Sequence, residues 1–301
     1  MKPQESVSQQ SPNSNAEPFH ELSCMEVYGG IAARVQSIKC PGLDMWISTH
    51  PYHGEATGGD LHFVSLCGGG MTTRILLADV SGHGDHVLEY SLELQKLVKR
   101  YINSKTQAGF MSDLNKSFAE YAQLSRFATA VFCTYLANKN SLELCIAGHP
   151  RPLWYQKSRN QWSYLGESAK PFAQDIGVSN LPLGIDEEAR FETFQFEFSI
   201  GDFLVFYTDS LTESKSPSNQ MLNEDGLLNI FRKFEPVSMD CPNLGNRGIQ
   251  LVSEFRNHQP ADDDETILVI QQNGTGKRPM GIGDKIDVYA KLFGLRSYGA
   301  I

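Results

Sequence analysis

The segment 74–84, Arg-Ile-Leu-Leu-Ala-Asp-Val-Ser-Gly-His-Gly, constrains the fold of this chain more than any other stretch. Its apolar run stops at Asp79, and a turn that contains Gly82 and Gly84 follows. Beyond the turn, apolar residues recur at steps of three and four between positions 87 and 101, which is the period of an amphipathic helix. The segment therefore predicts a buried strand, a glycine turn and a helix, with a carboxylate held at the end of the strand.

Composition is that of a globular protein without a basic surface. The 301 residues carry 26 Lys and Arg against 35 Asp and Glu, a net charge of −9. Nucleic acid binding needs clustered positive charge, so no nucleic acid partner is expected. The sequence shows no signal peptide and no apolar stretch long enough to cross a bilayer, which predicts a cytoplasmic chain without a membrane partner. The six cysteines have no metal-binding spacing, so we expect free thiols.

Three parts are predicted along the chain. Residues 1–22 are rich in Ser, Gln, Asn and Pro and are expected to be disordered, residues 23–273 form one domain, and residues 274–301 are an extension without an assigned role. Within the domain, strand-like runs dominate and no strand–helix–strand alternation recurs, which favours an α+β fold with antiparallel sheets.

Two elements outside the strands are expected to matter for function. A pair of helices is predicted at 85–102 and 111–122, the second capped by Ser112. Since the first helix begins directly after the Asp79 turn, this pair is a candidate regulatory switch. Residues 157–188 are predicted to form a loop or a lid.

Four aspartates lie where predicted strands begin or end: Asp60, Asp79, Asp209 and Asp263. The spacing of the first two suits an antiparallel hairpin that brings both to one end of a sheet. Each aspartate alone is more simply explained as a turn or cap residue. Together, an oxygen-only cluster is typical of sites for Mg²⁺ or Mn²⁺. Two such ions about 3.5–4 Å apart are a known device for hydrolysing phosphate esters with a metal-activated water.

Seven short motifs follow one another within residues 44–272. They are Gly59-Asp60, Asp79-Val80-Ser81-Gly82-His83-Gly84, Phe127-Ala128-Thr129-Ala130, Ala147-Gly148-His149-Pro150-Arg151-Pro152, Leu183-Gly184, the run from Gly201-Asp202-Phe203 through Tyr207-Thr208-Asp209-Ser210 to Thr212-Glu213, and Asp263-Asp264-x-Thr266. In this order they resemble the PPM family of metal-dependent protein serine/threonine phosphatases, type 2C in eukaryotes, and within it the bacterial SpoIIE/RsbU-like branch.

The resemblance implies an αββα sandwich of two antiparallel β-sheets flanked by helices, with two Mn²⁺ or Mg²⁺ ions at one end. Carried over by position, Asp79 would bridge both ions, and the backbone carbonyl of Val80 would bind one. Asp60 would serve the first ion, partly through water, and Asp209 and Asp263 would hold the second. A bridging water would then attack phosphorus in line, without a covalent intermediate.

Several positions depart from the family pattern. Asp264, beside the last ligand, is the less favoured candidate for the same ion. The second acidic residue frequent in this branch is replaced by Phe63, and the usual glycine after Thr-Asp is Ser210. His149 stands where eukaryotic relatives carry an Asp for a third ion, which argues against a third ion. The phosphate-binding arginine near the amino terminus of those relatives has no clear counterpart.

Two further residues are candidates for catalysis, each with a plainer alternative. His83 could protonate the leaving alkoxide, or it could be a turn residue bonded to the backbone. Arg151 could bind phosphate through two hydrogen bonds, or it could form a surface salt bridge. His149 is expected to order its loop rather than to bind metal.

Three functions are left open by the sequence. The first is hydrolysis of phosphoserine or phosphothreonine in a protein, which in this branch is a STAS-type anti-sigma-factor antagonist of a partner-switching pathway. The second is a pseudophosphatase or partner-activated binding module without turnover, although such a module gains nothing from four mutually repelling carboxylates. The third is hydrolysis of small phosphate esters beneath a lid formed by residues 157–188. No sensor domain is expected in this chain, and a homodimer contact through residues 274–301 is left open.

Overall fold

The computed structural model describes residues 19–67, 69–82, 85–104, 106–122, 126–165 and 180–275, without the side chains of Asp85 and His86. In these residues, two β-sheets face each other and a pair of helices covers the outer side of each sheet. This arrangement confirms the predicted α+β sandwich.

The first sheet has seven strands. They are β1 (Phe19–Glu21), β3 (Arg34–Cys40), β4 (Leu43–His50), β9 (Leu153–Gln156), β10 (Gln161–Tyr164), β12 (Phe203–Tyr207) and β13 (Glu265–Gln272). Their order across the sheet is β1-β3-β4-β13-β12-β9-β10. All neighbours pair antiparallel except β1 and β3, which are parallel.

The second sheet has six strands, and all of its pairs are antiparallel. They are β2 (Val27–Ala32), β5 (Thr57–Cys67), β6 (Thr72–Val80), β7 (Ala128–Leu136), β8 (Ser141–Ala147) and β11 (Thr193–Glu197). The order is β11-β8-β7-β6-β5-β2, so β5 and β6 form the predicted hairpin near one edge.

Four helices of eight or more residues occur in the described ranges: α1 (Asp85–Tyr101), α2 (Gln107–Ala122), α3 (Asn223–Phe231) and α4 (Cys241–Phe255). The α1–α2 pair packs on the outer face of the second sheet, and the α3–α4 pair packs on the outer face of the first. A third apolar cluster fills the space between the sheets. Burial of these three layers supplies the main stabilisation of the fold.

Strand alternation determines which residues lie between the sheets. In β6, Leu76 and Ala78 pack toward α1 and α2, whereas Ile75 and Leu77 pack between the sheets. Because successive side chains point to opposite faces of a strand, Asp79 continues the inner row of Ile75 and Leu77. The carboxylate therefore lies at the end of the space between the sheets.

Helix α2 begins earlier than predicted. It starts at Gln107, so Ser112 lies in its interior and is not its cap. The hydroxyl oxygen of Thr106 accepts a 3.1 Å hydrogen bond from the backbone N–H of Gly109, which is the geometry of an N-cap. The misplacement arose because Gly109 interrupts the helical pattern that begins at Gln107.

Two predicted boundaries also need correction. Strand β1 and the buried Leu22 belong to the fold, so the predicted disordered segment ends too late; residues 1–18 lie outside the described part. Strand β10 lies within the predicted lid, and residues 166–179 of that lid lie outside the described part, as do residues 276–301. No helix in the described ranges is long and apolar enough to cross a membrane.

Candidate metal centre

Asp60 and Asp79 lie directly opposite each other at the same end of the β5–β6 hairpin. Both side chains belong to the inner face of the second sheet, because Asp60 alternates with Val64 and Leu66 of the inter-sheet core. The Asp60 side chain is buried, and Asp79 is half-buried. The predicted pairing of these two carboxylates is confirmed.

The first sheet brings two more carboxylates to the same end of the sandwich. Asp209 follows β12 and Asp263 precedes β13, and these strands pair so that Tyr207 faces Ile267. The pairing continues one step further, since the N–H of Thr208 donates a 3.0 Å hydrogen bond to the carbonyl of Thr266. Asp209 and Asp263 are therefore neighbours across adjoining strand ends.

The pKa values show that these carboxylates face one another. Burial raises the pKa of Asp79 well above its usual range, and the charges of Asp209 and Asp263 raise it further. Burial likewise raises the pKa of Asp60, with the charge of Asp79 as the next cause. Asp209 has its pKa raised to about 6 by burial and then by Glu213. Repulsion of this kind is relieved when a cation lies among the carboxylates.

Glu213 has no role predicted from the sequence, although it closes the motif Thr212-Glu213. Its charge contributes to the raised pKa of both Asp79 and Asp209, so it faces the cluster. The backbone N–H of Glu213 donates a 2.8 Å hydrogen bond to the carbonyl of Asp209, which fixes the turn between them. Its spacing of four residues from Asp209 after a strand was the signal that could have identified it.

Asp60 has one bonded and one unbonded carboxylate oxygen. Oδ2 accepts a 3.0 Å hydrogen bond from the hydroxyl of Thr208, whereas Oδ1 is buried and has no hydrogen-bond partner among the described residues. A buried carboxylate oxygen without a partner is costly, and coordination to a hard cation would satisfy it. The donor set and this oxygen thus fit Mg²⁺ or Mn²⁺.

The cluster is not a preassembled ligand cage. Within the described ranges, no three His, Cys, Asp or Glu side chains are grouped closely enough to hold an ion as they stand. The arrangement fits a divalent metal by chemistry and by electrostatics.

Asp264 has both carboxylate oxygens occupied by the backbone. Oδ1 accepts a 2.6 Å hydrogen bond from the N–H of Tyr52, and Oδ2 accepts one of 2.6 Å from the N–H of Gly59. A Cβ on Gly58 would lie 2.4 Å from Oδ1 of Asp264, so only glycine fits there. The observed contacts make Asp264 a clamp on the backbone that precedes Asp60.

The backbone carbonyl of Val80 lies against Gly59. A Cβ on Gly59 would stand 3.0 Å from the Val80 oxygen, which explains a small residue directly before Asp60. The Val80 side chain is itself fully buried beneath α1. The carbonyl is therefore held beside the two carboxylates of the hairpin.

His149 is a buried and neutral residue beside the cluster. Its Nδ1 lies 2.8 Å from the hydroxyl oxygen of Thr129, which is the residue opposite Asp79 in the β6–β7 pairing. Burial lowers the pKa of His149 to about 3. A neutral imidazole tied to Thr129 agrees with an ordering role for the loop.

The two candidate catalytic residues are His83 and Arg151. His83 lies outside the described residues, so its role stays a prediction. Arg151 forms two hydrogen bonds with the carboxylate of Glu224, of 2.5 and 3.4 Å, and its guanidinium lies 4.9 Å from the ring centre of Tyr164. These contacts agree with the salt-bridge alternative that the sequence left open.

Comparison with known proteins adds a family assignment to this geometry. Residues 69–273 match the family model described as Stage II sporulation protein E (SpoIIE). The chain is 22% identical over 225 residues to the phosphoserine phosphatase RsbU of Bacillus subtilis, a match that covers 72% of this chain and 60% of RsbU. This chain therefore aligns with less than two thirds of that relative.

Three solved structures are similar in fold. The RsbU and RsbW domains of Rv1364c from Mycobacterium tuberculosis match with a TM-score of 0.64 at 20% identity, over 90% of this chain and 70% of that one. The PP2C phosphatase domain of SpoIIE from Bacillus subtilis, with a fragment of its regulatory domain, matches with a TM-score of 0.62 at 16% identity, over 77% of this chain and 64% of that one. RsbX in complex with magnesium matches with a TM-score of 0.56 at 16% identity, over 79% and 99%. The chain belongs to the SpoIIE family of PP2C-type (PPM) phosphatases.

Proposed function

We propose that this chain hydrolyses phosphoserine or phosphothreonine in a protein substrate with the help of two Mn²⁺ or Mg²⁺ ions. The observation that carries the proposal is the convergence of Asp60 and Asp79 from one sheet with Asp209 and Asp263 from the other. The raised pKa values of Asp60 and Asp79 and the unbonded Oδ1 of Asp60 support a cation among the four carboxylates. Magnesium is present in the similar RsbX structure.

Five groups would hold the two ions. They are the carboxylates of Asp60, Asp79, Asp209 and Asp263 and the backbone carbonyl of Val80. When bound, such ions would supply a water of lowered pKa for attack on a phosphoryl group. Asp264 is not proposed as a ligand, because its two oxygens already accept backbone hydrogen bonds.

The chain's own contribution is to hold these oxygens in position and to exclude bulk water. Thr208 orients Asp60, and Asp264 fixes the backbone on which Asp60 lies. Because Asp60 and Val80 are buried, the inner side of the centre is shielded by the sandwich. His83 would donate a proton to the leaving serine oxygen, a role that rests on its position four residues after Asp79.

The proposed substrate is a phosphorylated STAS-type anti-sigma-factor antagonist. Support comes from the similarity to RsbU, whose name denotes a phosphoserine phosphatase, and to a chain that joins RsbU and RsbW domains. The second candidate is a phosphatase or binding module that requires a partner for activation. One observation favours it: the carboxylates of the described residues are not grouped to hold an ion as they stand.

The test is hydrolysis of p-nitrophenyl phosphate and of a phosphoserine STAS protein in Mn²⁺, in Mg²⁺ and in EDTA. Asp79→Asn and Asp209→Asn are the test variants, and Asp225→Asn, an exposed aspartate of α3, is the matched control. We expect metal-dependent turnover that is lost in both test variants and kept in the control. Turnover unaffected by EDTA or by these substitutions would contradict the proposal. A folded, metal-binding chain without turnover would favour the partner-activated alternative.

A further inference from the structure

Arg126 lies two residues before β7, beside the turn that follows Asp79. We propose that its guanidinium binds the phosphoryl group of the substrate at the metal centre. This inference rests on the proposed function and assigns the phosphate-binding residue of that site.

The register of β6 and β7 places Arg126 beside the turn that follows Asp79. Asp79 faces Thr129 and Val80 faces Ala128. The pairing extends beyond the strands, since the N–H of Ser81 donates a 2.9 Å hydrogen bond to the carbonyl of Phe127. Arg126 therefore stands beside Gly82, and three residues of strand put it about 10 Å along the chain direction from Asp79.

The Arg126 side chain lies over the turn that follows Asp79. Its Nη1 lies 3.4 Å from the carbonyl oxygen of Ser81, which is two residues from Asp79. That distance is at the long end for a hydrogen bond, so the contact orients the guanidinium without strongly retaining it. A stronger acceptor, such as a phosphate oxygen, could displace Ser81.

Gly82 makes room for the guanidinium. A Cβ at this position would stand 2.9 Å from Nη1 of Arg126, and the φ of Gly82 is +99°, which L side chains rarely adopt. Any larger residue would push the guanidinium away from the turn. The glycine of the Asp79 motif thus creates the space in which Arg126 lies.

The backbone of Arg126 is held from two sides. The N–H of Phe127 donates a 3.2 Å hydrogen bond to the hydroxyl oxygen of Ser81. On the other side, Ala128 and Leu183 exchange two backbone hydrogen bonds of 3.0 and 2.7 Å. The side chain of Arg126 can therefore change its contact while its backbone stays in register with the metal turn.

The charges around the centre favour a cationic side chain for phosphate binding, in addition to the proposed metal ions. Six carboxylates lie near one another at the centre and would repel a phosphate dianion: those of Asp60, Asp79, Asp209, Asp263, Asp264 and Glu213. None of the ion pairs formed within the described ranges involves Arg126. Arg151 is instead paired with Glu224, and Arg256 with Glu265. The fork of N–H groups on a guanidinium matches two phosphate oxygens.

The experiment uses inorganic phosphate as a probe of the Mn²⁺-loaded full chain. Phosphate binding is measured by calorimetry and by competitive inhibition of p-nitrophenyl phosphate hydrolysis, in the wild type, Arg126→Gln and Arg126→Lys. Arg247→Gln, an exposed arginine on α4 in a weak pair with Glu254, controls for the loss of one positive charge. Mn²⁺ affinity and the melting temperature are measured for each variant.

For Arg126→Gln we expect phosphate dissociation and inhibition constants to rise by roughly 10- to 100-fold, as for the loss of hydrogen bonds to a charged group. KM should rise with them, Mn²⁺ affinity should stay within about twofold of wild type, and Arg126→Lys should be intermediate because it keeps the charge without the fork. Unchanged phosphate constants, or constants that change only in parallel with Mn²⁺ affinity, would overturn the inference and show that Arg126 merely ties the turn.

The same measurements distinguish an error in the proposed activity from an error in the role of Arg126. A wild type that binds Mn²⁺ and phosphate but hydrolyses neither substrate would refute the proposed activity, while the calorimetric comparison would still decide the role of Arg126. A Mn²⁺-loaded wild type that binds no phosphate would overturn the inference itself.

Discussion

The hydroxyl of Thr208 donates a 3.0 Å hydrogen bond to Oδ2 of Asp60 and thereby joins the two sheets at the carboxylate cluster. The same hydroxyl oxygen accepts a 3.0 Å hydrogen bond from the backbone N–H of Thr266. Thr208 directly precedes Asp209. Its side chain therefore couples Asp60 of the second sheet to the ends of β12 and β13, beside which Asp209 and Asp263 lie. The geometry of the centre thus depends on how the two sheets pack.

Replacement of Thr208 by Val should separate this coupling from the packing of the side chain. Valine keeps the shape but leaves Oδ2 of Asp60 and the N–H of Thr266 without their partner, at a cost of about 1–3 kcal/mol per buried group. We expect a lower free energy of unfolding and weaker Mn²⁺ binding, measured by urea denaturation and calorimetry. Thr208→Ser keeps the hydroxyl and should stay close to wild type in Mn²⁺ affinity. Equal Mn²⁺ affinity in the Val and Ser variants would contradict the coupling.

Asp264→Asn should lower the stability of the metal-free chain, whereas Asp263→Asn should lower its Mn²⁺ affinity, although the two residues are adjacent. In Asp264→Asn one acceptor oxygen becomes an NH₂ group that faces a backbone N–H, so the metal-free chain should lose about 1–3 kcal/mol of stability. Asp263 is half-exposed and is a proposed ligand, so its variant should lose Mn²⁺ affinity with little change in metal-free stability. The measurements are urea denaturation in EDTA and Mn²⁺ calorimetry. Similar losses of metal-free stability would argue against separate roles.

The hairpin at the centre was predictable from sequence because its signal is local. Asp60 and Asp79 lie in long apolar strands joined by a short glycine-rich connection, and such a connection fixes the register of the pair. The contact between Thr208 and Asp60 spans 148 residues and two sheets. No local pattern encodes it, since it depends on how the inner faces of the sheets meet.

Strand β2 shows how tertiary packing overrides local propensity. Gly29 and Gly30 lie in its middle, and two glycines disfavour a strand prediction. A Cβ on Gly29 would stand 2.0 Å from the carbonyl oxygen of His62, and the φ of Gly29 is +130°. Glycine is required there by close approach to β5, a constraint that appears only in the assembled sheet. The clamp role of Asp264 was missed for the same reason, because its partners are distant backbone groups.

Gly58→Ala should lower the stability of the chain, as Asp264→Asn does, because Gly58 is in contact with the Asp264 carboxylate. The added methyl group would lie 2.4 Å from Oδ1 of Asp264 and would displace the carboxylate from its two backbone donors. We expect destabilisation of about 1–3 kcal/mol, as for overpacking of a buried site, measured by urea denaturation. Gly226→Ala in α3 is the matched control, because the nearest atoms are at the end of the flexible Leu222 side chain and alanine favours a helix. If the two alanine variants were equally stable, the clamp would be excluded.

The stability of the metal-free chain should change with pH in the way that the raised pKa of Asp209 dictates. A carboxyl whose pKa is about 6 in the folded chain and about 3.9 when unfolded stabilises the fold most below pH 3.9 and loses this contribution as the pH rises through 6. In EDTA, the wild type should therefore lose stability between pH 4.5 and 7.5 relative to Asp209→Asn, by on the order of 1 kcal/mol after allowance for solvent screening. Urea denaturation of both proteins at each pH gives the comparison. Mn²⁺ at pH 7.5 should restore stability to the wild type more than to the variant, because the ion neutralises the repulsion that deprotonation creates. Parallel pH profiles for the two proteins in EDTA would show that Asp209 ionises in the folded chain as easily as in the unfolded one.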